Sequence, residues 1–169
     1  VGSWSDGTTN DPIKEIDAQI KAIAVGTGMM PNRILLGIGA WYYLRNHAKT
    51  LARQPGATNI GINLGQFTGM LLNPGIEARI GVLSKDTAKM GAAKSAANIV
   101  GDEVFIFYAS PAPTQYDPSF AKTFRTNRGG VQAVRMYRDE KARSDVLALD
   151  WSNDIQVVSS TCATRLQVS

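Results

Sequence analysis

Two side chains in this sequence have the chemistry of a nucleophile and its base: the single cysteine, Cys162, and the single histidine, His47. A thiol–imidazole pair needs the two within hydrogen-bond reach and a third group to orient the base. Their local sequence argues for another reading. Cys162 falls in a strand-like segment, where a free thiol behaves as a small buried hydrophobe. His47 falls at the end of an aromatic helical run, where a positive charge suits the helix dipole. One cysteine also excludes an internal disulfide framework and a cysteine-based zinc site. The carboxylates of Asp139, Glu140, Asp145, Asp150 and Asp154 sit in strands and turns without ligand spacing, so solvated charge is their expected state.

Glycine and aromatic clusters offer little more. Gly26-Thr27-Gly28 follows a helix instead of opening one, the wrong polarity for cradling a phosphate. Gly37-Ile38-Gly39 does follow a strand and precede a helix, but it lacks the third glycine and the downstream acid of a dinucleotide site. Trp41, Tyr42 and Tyr43 occupy consecutive helical positions and point in different directions, so core packing is expected of them before ligand stacking. Arg125, Arg128, Arg135, Arg138, Lys141 and Arg143 form the densest basic stretch, interrupted by Asp139, Glu140 and Asp145. The net charge of +4, from 18 Lys+Arg against 14 Asp+Glu, is spread along the chain. A dedicated nucleic-acid binder concentrates such charge on one element, so a solvated strand pair with weak polyanion affinity is expected. These residues point to no enzyme, cofactor, metal or small-molecule substrate, and to a protein that works by contact.

The elements around them are readable. The 169 residues, 44% of them hydrophobic, suit one compact unit or one with a small lobe. The longest apolar stretch, Arg33–Leu44, is broken by Gly37 and Gly39 and is too short to span a membrane. Residues 1–10 read as a loop, and Val1-Gly2-Ser3-Trp4, with no initiator Met and no signal peptide, as a cut end. Asp11 is a good N-cap and Pro12 a good first helical residue. Ile13, Ile16, Ile20, Ile23, Ala24 and Thr27 then recur on one arc, which predicts an amphipathic helix stopped by Gly26 and Gly28. Asp17 precedes Lys21 at the spacing of a helical ion pair.

Further on, the pattern predicts a strand over Arg33–Ile38 and a helix from Ala40 to near His47. Residues 49–63 read as irregular, with a Pro55-Gly56 turn, and Leu64–Leu72 as a short helix. Alternation over Ile76–Val82 predicts a half-buried strand. Residues 88–97 have helix-forming composition weakened by Gly91. Glu103–Ala109, apolar on both faces, reads as a central strand. The Pro-rich segment 110–119 must be a loop. Strands follow at Thr123–Arg125, Val131–Tyr137, Asp145–Trp151, Ile155–Ser159 and Thr164–Val168, with Ser152-Asn153-Asp154 as a hairpin turn. The order is α+β, not a doubly wound alternation.

The run Asp11-Pro12-Ile13-Lys14-Glu15-Ile16, continuing through Thr27-Gly28-Met29-Met30-Pro31-Asn32-Arg33-Ile34-Leu35-Leu36-Gly37 to Ala40-Trp41 and Leu44, resembles tailed-bacteriophage major capsid proteins. Gly101–Tyr108, the Pro-rich loop after it, Ser119–Phe124, Arg143–Val158 with Trp151, and Cys162–Val168 agree in order with the same family. The resemblance implies an α+β capsid fold with a spine helix whose packing face is Ile13, Ile16, Ile20 and Ile23. It implies a peripheral domain of residues 1–28 plus 151–169 and a mixed-sheet axial domain of residues 29–150, with Trp41, Leu44, Phe105 and Phe107 in its core. On this resemblance, the family's N-terminal arm and extended loop are expected to lie outside residues 1–169. The implied role is a subunit of an icosahedral phage or prophage shell around double-stranded DNA. It would associate with itself in pentamers and hexamers, touch packaged DNA without reading it, need no membrane, and end in the virion after assembly in the bacterial cytoplasm. Three alternatives stand beside it: an encapsulin-like shell for protein cargo, a small α+β nucleotide-binding enzyme using Gly37 and Gly39, and a binding module built on the Arg125–Arg143 strands.

Overall fold

The computed structural model describes residues 2–54, 61–125, 133–150 and 152–168. The expected Pro55-Gly56 turn, Arg128, Val131 and Trp151 lie outside these residues.

Helix α1 spans Pro12–Thr27, and its ends are set by the residues that announce them. Asp11 is extended, and its carboxylate accepts the Lys14 N–H at 3.3 Å. Gly28 closes the helix at φ +71°, a conformation that costs glycine nothing. Ile13, Ile16, Ile20 and Ile23 are all buried. Asp17 does not serve the expected pair with Lys21; its carboxylate accepts the Leu72 N–H at 2.9 Å, a tertiary bond that anchors the segment after α4 to α1. The second oxygen of Asp11 meets Arg53 Nη2 at 2.8 Å. Asp11→Ala is therefore expected to lower stability by about 1–2 kcal/mol, most of it the lost cap and the remainder a partly exposed ion pair. Asp11→Asn should recover most of that loss in a thermal melt.

Strand β1 (Arg33–Gly37) runs directly into helix α2 (Ile38–Asn46). A one-turn helix α3 (Ala48–Leu51) follows within the stretch expected to be irregular, and α4 (Leu64–Gly69) is closed by an Asn63–Gln66 capping box. Strand β2 (Glu77–Gly81) then lies parallel to β1, with α2 to α4 as the crossover that a parallel pair requires. Strand β5 (Glu103–Phe107) is antiparallel to β1, and β10 (Ala163–Gln167) is antiparallel to β5. The sheet order is β10-β5-β1-β2, so β5 is central as expected.

One face of this sheet and the helices share a core. Ile34, Leu36, Val104, Ile106 and Leu166 from the strands meet the α1 isoleucines, Trp4, Trp41, Leu44 and Phe67. Trp41 and Phe67 pack edge to face at 5.9 Å. The fully buried positions of β5 are Val104 and Ile106; Phe105 and Phe107 lie on the opposite face and are half-buried.

Between β2 and β5, the helix-forming composition of residues 88–97 is overruled. The chain forms a hairpin of β3 (Ser84–Asp86) and β4 (Ala96–Asn98). One carboxylate oxygen of Asp86 accepts the Ala88 and Ser95 N–H groups at 2.9 and 3.0 Å, and Gly91 stands at φ +86°. A continuous helix would leave that carboxylate unused and bend around glycine, so the turn prevails.

Packing divides the chain into residues 1–120 with 159–169, and residues 121–158. The α1 stripe and the residues Trp41 and Leu44 share one core. The second unit consists of nested antiparallel ladders. Strands β7 (Ala133–Asp139) and β8 (Ser144–Asp150) form the hairpin, and β6 (Ala121–Arg125) pairs with β9 (Asn153–Val157). The expected Ser152-Asn153-Asp154 hairpin is thus corrected. Its flanking strands belong to different ladders, and the tight turn is at residues 140–143, where Arg143 takes φ 49°.

Candidate functional site

His47 joins α2 to α3 and is completely buried. Its Nδ1 accepts the Lys49 N–H at 3.3 Å, and its carbonyl accepts the Thr50 and Leu51 N–H groups at 3.0 Å. Nε2, like Thr50 Oγ1, is buried with no hydrogen-bond partner among the described residues. Burial holds the imidazole below its ordinary pKa, outweighing the pull of Asp6. Burial thus favours the neutral ring over the charged one expected at a helix end. Cys162 is also buried, but in a 3-10 turn (Ser160–Cys162) and not a strand, and its thiol donates to Ser159 Oγ at 3.4 Å. No hydrogen bond joins the two, so they form no nucleophile–base pair.

The buried imidazole makes stability depend on pH. The unfolded chain takes up a proton near the ordinary value of 6.5, whereas the folded chain resists it until lower pH. Unfolding therefore binds protons in that window, and stability falls as pH drops below the unfolded value. Urea midpoints should decline between about pH 7.5 and 5.5, and His47→Gln should flatten that decline.

The Gly37-Ile38-Gly39 turn is occupied by the protein itself. Gly101 O accepts the N–H groups of Gly39 and Ala40 at 3.1 and 3.3 Å, so these two donors of α2 are taken. The turn has no room for phosphate. A Cβ at Gly37 would stand 2.1 Å from Gly101 O, and one at Gly39 would stand 1.9 Å from Asp102 Oδ1. Of the aromatic trio, Trp41 is buried, Tyr43 is half-buried and Tyr42 is exposed, so the three share no common face.

Asn32 has a role that sequence reasoning missed. Its side-chain amide donates to Ala109 O at 2.7 Å and accepts the Ala109 N–H at 3.0 Å, while its own carbonyl accepts the Glu77 N–H. Asn73 Nδ2 binds Pro31 O at 2.8 Å. Pro31-Asn32 is thus a knot that ties the start of β1 to β2 and to the end of β5. A side-chain amide copying a strand's own pairing leaves no periodic signal in sequence.

What remains is surface. On the outer face of the four-stranded sheet, a groove of about 350 Å³ has Leu35 and Phe107 among its lining and Arg33, Glu77 and Arg79 at its rim. Glu77 is paired with both arginines, at 2.6 Å from Arg79 Nη2, so the groove offers no unengaged base. In the second unit, Arg138 pairs with Asp145 at 3.4 Å, and Val134, Met136, Leu147 and Leu149 of β7 and β8 are exposed. Among the described residues, no group of three His, Cys, Asp or Glu side chains is placed to hold a metal ion, and no helix is long and apolar enough to cross a membrane.

No protein-family model matches the chain, and no curated protein matches it. Among solved structures, the chain is similar to a phage-related protein from Bordetella bronchiseptica RB50. The TM-score is 0.78 and 24% of residues are identical, over 98% of this chain and 54% of the other. The chain therefore spans about half the length of that structure, and the likeness is one of fold.

Proposed function

We propose that this chain is a structural subunit of an icosahedral phage or prophage shell, with the tailed-phage major capsid fold, and that it acts by self-assembly and not by catalysis. The observation that carries the reading is the fold likeness, along nearly the whole chain, to a protein described as phage-related. The order of elements supports it as well: a beam-like helix capped at Asp11 and Gly28, a mixed sheet entered through Pro31-Asn32, and a return strand at the C-terminal end. In this reading α1 is the spine, residues 1–28 and 151–169 are peripheral, and residues 29–150 are axial. The partners are further copies of the chain, in pentamers and hexamers, and packaged double-stranded DNA is touched without sequence preference. The location is the virion shell, after assembly in the bacterial cytoplasm.

Physically, a shell subunit needs no pocket. It needs several modest surfaces engaged at once, because each added contact becomes intramolecular once the first has formed. Negative-stain microscopy of the chain, alone and expressed within its longer reading frame, tests the proposal. Closed shells or capsomer rings are expected. A persistent monomer that turns over a small molecule would overturn it.

A further inference from the structure

We infer that the β7–β8 hairpin is a two-fold self-association surface that packs face to face against the same hairpin of a second copy of this chain. Strand register decides which side chains share a face. Val134 lies opposite Leu149, Met136 opposite Leu147, and Arg138 opposite Asp145, all on one side of the ladder. The four apolar residues are 60%, 46%, 79% and 68% exposed in the order Val134, Leu149, Met136, Leu147. Together they present on the order of 400 Å² of apolar surface, a size at which a patch on a monomer marks an interaction site. A two-stranded hairpin is also marginal in water and gains stability when a second layer packs against it.

The charges identify what the second layer is. Consider a second copy related by a two-fold axis that runs along the hairpin. Its β7 then lies over the first copy's β8 at the same height, so Met136 meets the partner's Leu147 and Val134 meets the partner's Leu149. Arg138 meets the partner's Asp145, and Asp145 meets the partner's Arg138, closing a ring of alternating charge at the end of an apolar strip. A face that is complementary to itself under a two-fold is the signature of an isologous contact. Reversing one hairpin would set Arg138 over the partner's Val134 and lose the pairing. The two layers would then pack about 10 Å apart, as sheets in a sandwich do. The apolar strip is small for a stable dimer, which suits a contact that is weak singly and repeated many times.

This contact deepens the shell reading by naming one interface, but it is read out separately from shell formation. Sedimentation velocity of the 169-residue chain should show a reversible monomer–dimer equilibrium in the micromolar range. Met136→Asp should weaken association at least tenfold. Arg138→Asp makes the end of the face uniformly negative and Asp145→Arg makes it uniformly positive, so each variant alone should dimerise several-fold less well. An equimolar mixture of the two should restore dimers. Both side chains are well exposed, at 61% and 66%, so the exchange leaves the fold unstrained. A wild-type chain that stays monomeric, single variants that dimerise normally, or a mixture that stays monomeric would overturn the inference. So would a salt-sensitive DNA affinity lost in Arg138→Asp from a chain that never dimerises. Shells formed by Met136→Asp would remove this contact and leave the shell reading standing. Dimers from a full reading frame that never closes into shells would do the reverse.

Discussion

Gly37→Ala is expected to destabilise the protein by about 3 kcal/mol or more, and Gly37→Val to prevent folding altogether. Gly37 is the hinge between β1 and α2, with φ −65° and ψ 154°, so the difficulty is space and not backbone conformation. A Cβ there would stand 2.1 Å from Gly101 O, 2.8 Å from Gly101 C and 2.8 Å from Val100 O. All three are backbone atoms, and none can swing aside as a side chain would. Relief requires Gly101 to move, and Gly101 O accepts the N–H groups of Gly39 and Ala40 in the first turn of α2. Overpacking costs about 1–3 kcal/mol, and each polar group left buried without a partner about 1–3 kcal/mol more. Gly26→Ala is the matched control. Gly26 sits near the end of α1 with nothing within 4 Å of a new Cβ, so it should gain up to about 1 kcal/mol. Urea unfolding of the two variants gives opposite signs if close backbone packing is the cause. A Gly37→Ala variant within about 0.5 kcal/mol of wild type would show that this junction yields.

The same contrast between local and distant causes governs what was legible in the sequence. Helix α1 is legible because Asp11, Pro12, the isoleucine spacing and Gly28 are local signals that agree, although the helix runs through Gly26 and stops only at Gly28. Strands β1, β2, β5 and β10 were readable from their apolar patterning, although β1 and β5 did not reveal their faces. Val104, Phe105, Ile106 and Phe107 are equally apolar, and the helices packed on one side of the sheet make Val104 and Ile106 the core. The hairpin within residues 88–97 is not legible because composition weighs every residue alike, whereas one carboxylate, Asp86, bridging the N–H groups of Ala88 and Ser95, decides the turn. The Ser152-Asn153-Asp154 turn failed for a related reason. Its chemistry suits a hairpin, but β9 finds its partner in β6, about thirty residues earlier. The place of His47 at a helix end is legible, but its preference for the neutral form is not, since burial is a tertiary fact. The apolar face of β7 and β8 is present as an alternation, yet alternation alone does not say that Val134, Met136, Leu147 and Leu149 stay exposed.

Trp4→Ala should cost about 3–5 kcal/mol, although Trp4 lies in a segment whose composition reads as a plain loop. The indole is fully buried, and its N–H donates to Glu15 Oε2 at 2.8 Å. The other Glu15 oxygen accepts the Gly2 N–H at 3.3 Å, and the Trp4 N–H donates to Val168 O at 2.9 Å. One residue therefore fastens the lead-in simultaneously to the first turn of α1 and to the end of the chain. The lead-in is held a second time at α3, where the Ala48 N–H donates to Gly7 O and Lys49 Nζ to Thr9 O. Removing the ring empties part of the core beside Ile13 and Ile16 and strips Glu15 of its indole partner. Trp4→Phe keeps much of the packing and loses that hydrogen bond, so it should cost only about 1–3 kcal/mol. The loss should also be local before it is global. Amide exchange in Trp4→Ala should quicken first at residues 2–10 and at Val168, while Ile106 and Leu36 in the sheet keep their protection. If Trp4→Ala melted within a few degrees of wild type, the lead-in would have to be a passive strand and not the clasp that holds α1 against β10.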